Sequence, residues 1–281
     1  LLPFLGAGQT HLIGIYKNEV AKGLRWLLDS QEEDGDLRGS TGQYPGMYAH
    51  GQAAIVLCEA FLMTGDEQLR IPAQKAIDYI VLAQYPDGGW RYYPKRSRRW
   101  MQGDLSVTGW QLMALQSALA ANLSVPEETL ELAGQFLDRV QHDDGAKYAY
   151  LPNDSPSAPM TAEGLLSRIY LGRKRSHPSL VEGVNWMLQE HPPEIDKPDI
   201  YYWYYATQTM HHFGGAQWEL WNLRMRDVLV ATQETRGHRA GSWTPDGPLV
   251  NRGGRIYMTS MAICCLEVYY RHLPIFRQLE L

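Results

Sequence analysis

Long apolar runs are missing from this 281-residue sequence. None approaches the roughly 18 residues that a membrane-crossing helix needs, so no transmembrane segment is expected. Cysteine is scarce as well. Cys58, Cys264 and Cys265 are an odd set, two of them adjacent and all in apolar segments. That excludes a disulfide framework and leaves them as small buried hydrophobes. Positive charge does not predominate: the formal net charge is -5, which gives no reason to expect nucleic acid as a partner. The start, "LLPFLGAGQT", has neither an initiator Met nor the basic flank of a secretory signal. It is expected to be cut from a longer chain, with a flanking domain as a candidate partner and the compartment left open. HExxH and C-x-x-C are absent too, so no metal and no cofactor is expected.

What is present is a repeat. In "KAIDYIVLAQYPDGGW" a helical apolar stripe ends at Gln84, followed by Gly88, Gly89 and Trp90. A Gln in the last turn can bridge to orphan carbonyls or a neighbouring helix end. Gly supplies the left-handed stop, and Trp covers the exposed end. The pattern recurs around Gln31, Gln141 and Gln233, and in degenerate form around His191, with the anchors about 42 to 57 residues apart. Between the anchors lie more apolar segments at 47–65, 104–121, 159–172, 200–215 and 254–273. Thr108, Thr161, Thr207 and Thr259 stand near the starts of four of them, and His50 in the fifth.

Alternating amphipathic and largely apolar helices predict an all-α fold, an α/α toroid of five to six hairpins with outer and inner helix rings. A linear solenoid would leave one face of the apolar set wet. The expected organisation is a single domain over 1–281. Its repeats fall at about 17–65, 69–121, 126–172, 178–215 and 216–273, with 1–14 the remnant of a preceding inner helix.

The motif of Lys or Arg, Gly, an aromatic, then Gln, Gly and Trp resembles the QW repeat of the squalene cyclase and prenyltransferase superfamily, over residues 17 to 273. It is also similar in style to squalene-cyclase-like repeat proteins without assigned activity. The resemblance implies the toroid with a central cavity and a terpenoid cyclase-like or prenyltransferase-like character. Its catalytic elements are not matched. Against a D-x-D-D-T element, "DLSVT" keeps Asp104 and Thr108 but has Ser106 and Val107 where acids are required. No D-x-C exists for a prenyltransferase zinc, and Met258 stands where its His is expected. "GAGQT" has Ala7 in place of a thioester Cys.

Two features remain as candidate sites. Inner-helix N-termini with basic loops make an anion-receptive mouth. Its charge comes from Arg91, Lys95, Arg96, Arg98 and Arg99 and from Arg236, Arg239, Arg252 and Arg255, set against Glu234 and Asp246. The segment "YYWYYATQTMHH" is rich in aromatics that cannot all face one way. Tyr202, Trp203 and Tyr205, with Tyr48, Trp110 and Tyr257, are candidate ligand-binding residues beside Arg91, Arg96, Arg98 and Arg255. Such rings stabilise cations or stack on sugars. Asp104, His50, Glu163 and His211 are the candidate catalytic groups, each also readable as a satisfied structural residue. Glu59 and Glu267 sit deeper in their helices. The first functional expectation is a cavity-bearing module that binds a hydrophobic or elongated ligand with an anionic group. The alternatives are an unusual enzyme on an isoprenoid or lipid substrate, or a carbohydrate-active toroid, a lyase or hydrolase. The partner is then a hydrophobic or anionic small molecule or a glycan.

Overall fold

Three helices open where the sequence places an Asp, whose carboxylate accepts a first-turn backbone N–H. Asp66 serves Gln68, Asp104 serves Val107 and Asp199 serves Tyr202. A computed structural model describes residues 1–39, 46–94, 102–248 and 250–271, with backbone alone at 251, 252 and 271. The chain runs α1 (Leu2–Gly6), α2 (Lys17–Ser30), α3 (Gly46–Thr64), α4 (Glu67–Ala83), α5 (Leu105–Ala120) and α6 (Glu127–Val140). It continues through β1 (Gln141–His142), β2 (Lys147–Tyr148), α7 (Ala158–Tyr170), α8 (Pro178–Glu190), α9 (Ile200–Phe213), α10 (Gly215–Thr232), α11 (Val250–Leu266) and α12 (Val268–Arg271). The fold is all-α. Among the described residues no helix is long and apolar enough to cross a membrane.

The chain forms two compact units, one of residues 3–141 and 149–155, the other of 142–148 and 156–281. In the first, α3 packs on α4 and α5, and α5 on α4 and α6. The apolar helices α3 and α5 are buried along most of their length. On α2, by contrast, only Val20, Leu24 and Leu27 are buried, one stripe of an otherwise polar helix. In the second unit α9 packs against α7, α8, α10 and α11, and all of its residues are buried.

The recurring Gln is a staple between successive outer helices. Gln84 Nε2 donates to Gly88 O in its own turn and to Thr129 O at the start of α6, both at 2.9 Å. Gln31 Nε2 does the same with Gly35 O (3.3 Å) and Pro72 O of α4 (3.0 Å). The glycine is needed twice over. Gly88 has φ +87°, and a Cβ there would lie 1.9 Å from Leu132 O of α6. The Trp then closes the end: Trp90 Nε1 donates to Ile80 O (2.7 Å), as Trp243 Nε1 donates to Leu229 O (2.8 Å).

The residues near the inner-helix starts complete the joint. Trp90 N–H donates to Thr108 Oγ1 (3.0 Å), Tyr148 N–H to Thr161 Oγ1 (3.1 Å), and Trp243 N–H to Thr259 Oγ1 (3.2 Å). His50 takes the same part, accepting the Leu37 N–H at Nδ1 (3.0 Å). Thr207 differs, receiving the Trp221 indole N–H (3.0 Å).

One expectation is refined. Of residues 1–14 only Leu2–Gly6 is helical; the rest is turn, with Thr10 Oγ1 accepting the N–H groups of Leu12 and Ile13. Tyr201 to Tyr205 are all buried, at most 8% exposed. The helices α7, α8, α10 and α11 pack around α9, so all five rings lie in the interior although they point different ways.

A candidate active site around Asp104

Asp104 stands where the turn after Trp90 meets the start of α5. Its backbone N–H donates to Trp90 O at 2.8 Å. Its Oδ1 accepts the Val107 N–H (2.9 Å) and the Ser106 hydroxyl (2.8 Å). These bonds fix the carboxylate and leave Oδ2 without a hydrogen bond of ordinary length. Arg91 Nε approaches Oδ2 at 3.9 Å. The Tyr150 hydroxyl also favours the charged form by hydrogen bonding. Asp104 is wholly buried. That burial raises its pKa from 3.8 to about 6, against the lowering effects of the Val107 N–H, Ser106, Arg91 and Tyr150.

Around the carboxylate lie partly exposed aromatic groups. The Arg91 guanidinium is 5.6 Å from the Tyr92 ring centre and 6.0 Å from that of Tyr150. Tyr92 and Tyr150 share a hydrogen bond of 2.5 Å through their hydroxyls. Tyr48 OH meets Ser106 Oγ at 2.5 Å, and its ring lies 5.9 Å from that of Tyr92. A cation, a carboxylate poised near neutrality and three phenols thus share one corner of the first unit. Together they can bind an anionic or ring-shaped ligand and move a proton.

The other candidates lie elsewhere or have structural duties. His50 is buried with both nitrogens engaged, Nδ1 by Leu37 N–H and Nε2 with Ala76 O (2.9 Å). Burial lowers its pKa to about 4, so it is neutral. Glu163, in the second unit, is buried with Oε2 accepting the Tyr201 hydroxyl at 2.9 Å. His211 packs edge-on to Trp218 at 4.9 Å and next to His212, whose pKa burial lowers to about 3. Tyr202 OH donates to His191 O (3.0 Å), and its ring meets Trp221. Trp203, Tyr205 and Trp110 are buried within α9 and α5. Burial raises the Tyr257 phenol, with Asp199 and Glu163 near it. Arg255 bonds Ser242 Oγ (3.0 Å) and stands 3.9 Å from Glu234. Arg96 and Arg98, with Lys95 and Arg99, lie outside the described residues. The start of α5 carries an Asp carboxylate, and so does that of α9; at both, the chain itself supplies the anion. Among the described residues no group of three or more His, Cys, Asp and Glu could hold a metal ion.

Ser106, Tyr92 and Tyr150 belong to this corner and were not among the sequence candidates. The available signal was their neighbours: Ser106 follows Asp104 by two positions, and Tyr92 adjoins Arg91. Tyr150 has no local signal, since it comes from a loop 46 residues past Asp104.

Comparison with known proteins corrects the family resemblance. A family model described as pectic acid lyase matches residues 50–108. No curated protein matches the sequence. Among solved structures, the chain is similar to an inactive variant, with two Asp→Asn substitutions, of the alpha-1,6-mannanase GH76A of Salegentibacter sp. HEL1_6 in complex with alpha-1,6-mannotriose. The TM-score is 0.55 at 9% identity, over 80% of this chain and 75% of that one. The likeness shows the fold, which is the expected all-α, α/α-toroid class. The squalene cyclase and prenyltransferase resemblance, with its terpenoid cyclase-like and prenyltransferase-like character, is overturned by these two matches to carbohydrate-active proteins. Its physical basis is now plain. The Gln, Gly and Trp hold turns and successive helices together, a task that carries no particular reaction with it.

Proposed function

We propose that this chain is a carbohydrate-active enzyme that cleaves a polysaccharide bearing carboxylate groups, with the Asp104 corner as its active site. The observation that carries this is Asp104 itself, a buried carboxylate with its pKa raised to about 6 and one oxygen facing Arg91. The residues involved, apart from Tyr48 and Tyr150, fall within the 50–108 stretch matched by the pectic acid lyase model. The mannanase likeness supports the scaffold. The glycan reading thereby displaces the cavity-bearing module and the isoprenoid enzyme.

Cleavage of a uronate polymer by β-elimination makes three demands. A cation must neutralise the sugar carboxylate, a base must take the proton beside it, and the leaving glycosidic oxygen must regain a proton. The C–H bond and the glycosidic C–O bond break, and a C=C bond forms. Arg91 supplies the cation. The Asp104 carboxylate and its phenols supply the base. The partly exposed rings of Tyr48, Tyr92 and Tyr150 offer faces on which a sugar can stack.

A second reading is hydrolysis, with Asp104 as the acid, and its raised pKa favours that role below pH 6. Hydrolysis needs a second carboxylate. The adjacent pair Asp143 and Asp144 is exposed in a left-handed turn, with Asp143 held by Lys147 at 2.8 Å. That surroundings lacks the burial that poises Asp104. Incubation with polygalacturonic acid and with an alpha-1,6-mannan tests both readings. Unsaturated, ultraviolet-absorbing ends from the acidic polymer are expected. New reducing ends without that absorbance would favour hydrolysis, and no cleavage of either polymer or of other acidic glycans would end the proposal.

A further inference from the structure

We propose that Asp87 is a positioning residue for the Asp104 corner, a carboxylate clamp that holds the segment carrying Arg91 against the segment carrying Asp104. The inference rests on the reading of that corner as the active site and deepens it, because it names what fixes the two charged groups relative to each other. Arg91 and Asp104 are distant in the chain. They meet because Trp90 and Asp104 pair as an isolated antiparallel bridge, with the Asp104 N–H given to Trp90 O at 2.8 Å. Arg91 Nε then stands 3.9 Å from Asp104 Oδ2.

Asp87 ties down the residue in front of each bridge partner. Its Oδ1 accepts the Gly89 N–H at 3.1 Å, and its Oδ2 accepts the Gly103 N–H at 2.9 Å. One carboxylate thus gives an oxygen to each segment, which an amide with a single acceptor oxygen cannot do. The two backbones it joins are in contact. A Cβ at Gly103 would lie 2.7 Å from Gly89 Cα and 2.9 Å from Trp90 N, and one at Gly89 would lie 2.7 Å from Phe136 Cδ2. Close approach is what requires glycine at both places. An added atom at either displaces Arg91 or Asp104.

The joint itself closes without such a clamp. Asp87 stands three places before Trp90; the matching residues are Asp34 before Leu37, Gly145 before Tyr148 and Ala240 before Trp243. Gly145 and Ala240 have no side-chain acceptor, yet Tyr148 N–H reaches Thr161 at 3.1 Å and Trp243 N–H reaches Thr259 at 3.2 Å. Asp34 makes half of the arrangement, its Oδ1 accepting the Asp36 N–H at 3.3 Å. Among the described residues the other half, a bond to the opposing segment, is made at Asp87 alone, at the joint that carries Arg91 and Asp104.

The charged and titratable groups facing Asp104 are Arg91 and Tyr150, and Tyr85 lies in the field of both Asp87 and Asp104. The clamp is tested on the intact protein by carbon-13 labelling of the aspartate side-chain carboxyls, the Asp104 signal being the one lost in Asp104→Asn. Its midpoint in the parent is expected at about 6. Asp87→Asn removes one accepted bond, while Gly103→Ala forces the segments apart and keeps the Asp87 charge. Each should let water reach Asp104 and lower the midpoint toward 3.8, by about 0.5 in pH or more. Asp34→Asn should leave it in place. An unchanged midpoint in Asp87→Asn would overturn the clamp, as would an equal fall in Asp34→Asn. A fall in Asp87→Asn with none in Gly103→Ala would mark a charge effect instead, and unfolding of Asp87→Asn a staple of the fold; either would end the inference. This readout needs no substrate, so it stands apart from any failure of the proposed function. With a cleaved polymer in hand, Asp87→Asn should lower kcat about tenfold with KM little changed. An unchanged kcat would also refute the positioning role.

Discussion

The starts of α5 and α7 share one joint and differ at the residue that opens the helix. In each, a Thr one turn into the helix accepts the backbone N–H of the aromatic residue that closes the preceding turn: Thr108 from Trp90, Thr161 from Tyr148. Four residues before that Thr, α7 has Ser157, whose side chain makes no capping bond, and α5 has Asp104, whose side chain does. The aligned positions near the other starts are Gly46 before His50 and Arg255 before Thr259. The shared positions hold the hairpins together. The departure at Asp104 buries a carboxylate that the joint does not need, at a cost visible in its raised pKa. Chemistry is therefore sought where the repeat is broken.

The sharpest way to break this comparison is to neutralise the departing residue. Asp104→Asn keeps a good N-cap and removes the proton acceptor. We expect it to lower kcat by about 10²- to 10⁴-fold with the helical circular dichroism unchanged. Ser157→Ala, at the residue that opens α7, should leave kcat as it was. The next largest effect lies in the joint. Gly88→Ala forces a Cβ against Leu132 O at a positive φ and should cost more than about 3 kcal/mol in denaturant unfolding.

The staples rank by burial. Gln84→Ala orphans two carbonyls in the interior, for a loss of about 1–3 kcal/mol. Gln233→Ala, whose bond to Gly241 O is solvent-exposed, should lose less than about 1 kcal/mol. Equal losses would show that the Gln repeat is not a buried staple.

A gradual effect lies in pH dependence. Asp104 has a folded pKa above its unfolded one, so the stability it adds is present below about pH 4 and lost as pH rises through 6. His50, lowered from 6.5 to about 4, acts oppositely: its contribution is present above 6.5 and lost as pH falls through 4. The two offset each other between pH 4 and 6. Asp104→Asn should leave the His50 trend unopposed, so stability rises across that interval by about 1 kcal/mol per pH unit more steeply than in the parent.

The joint was legible in the sequence because each of its parts is local. Gln84, Gly88 and Trp90 lie within seven residues, and their spacing states both the helix end and the turn. The degenerate copy at His191 was legible as degenerate: no Gln staple forms there, and the His191 carbonyl instead receives Tyr202 OH. Asp104 could be singled out through a partial motif, though for a family the chain does not match. Its burial could not, because it depends on Arg91, Tyr48 and Tyr150 arriving from three separate segments. In α9 five consecutive aromatics were expected to point different ways, and the helices packed around it bury all five.

The account turns on Asp104 as the group that exchanges a proton with a polysaccharide. The direct measurement is the rate of cleavage of an acidic polymer against pH, for the parent and for Asp104→Asn. A limb with its midpoint at about 6, rising with pH and absent from a severely slowed variant, is the predicted result. A variant that cleaves at the parental rate with the same limb would contradict it.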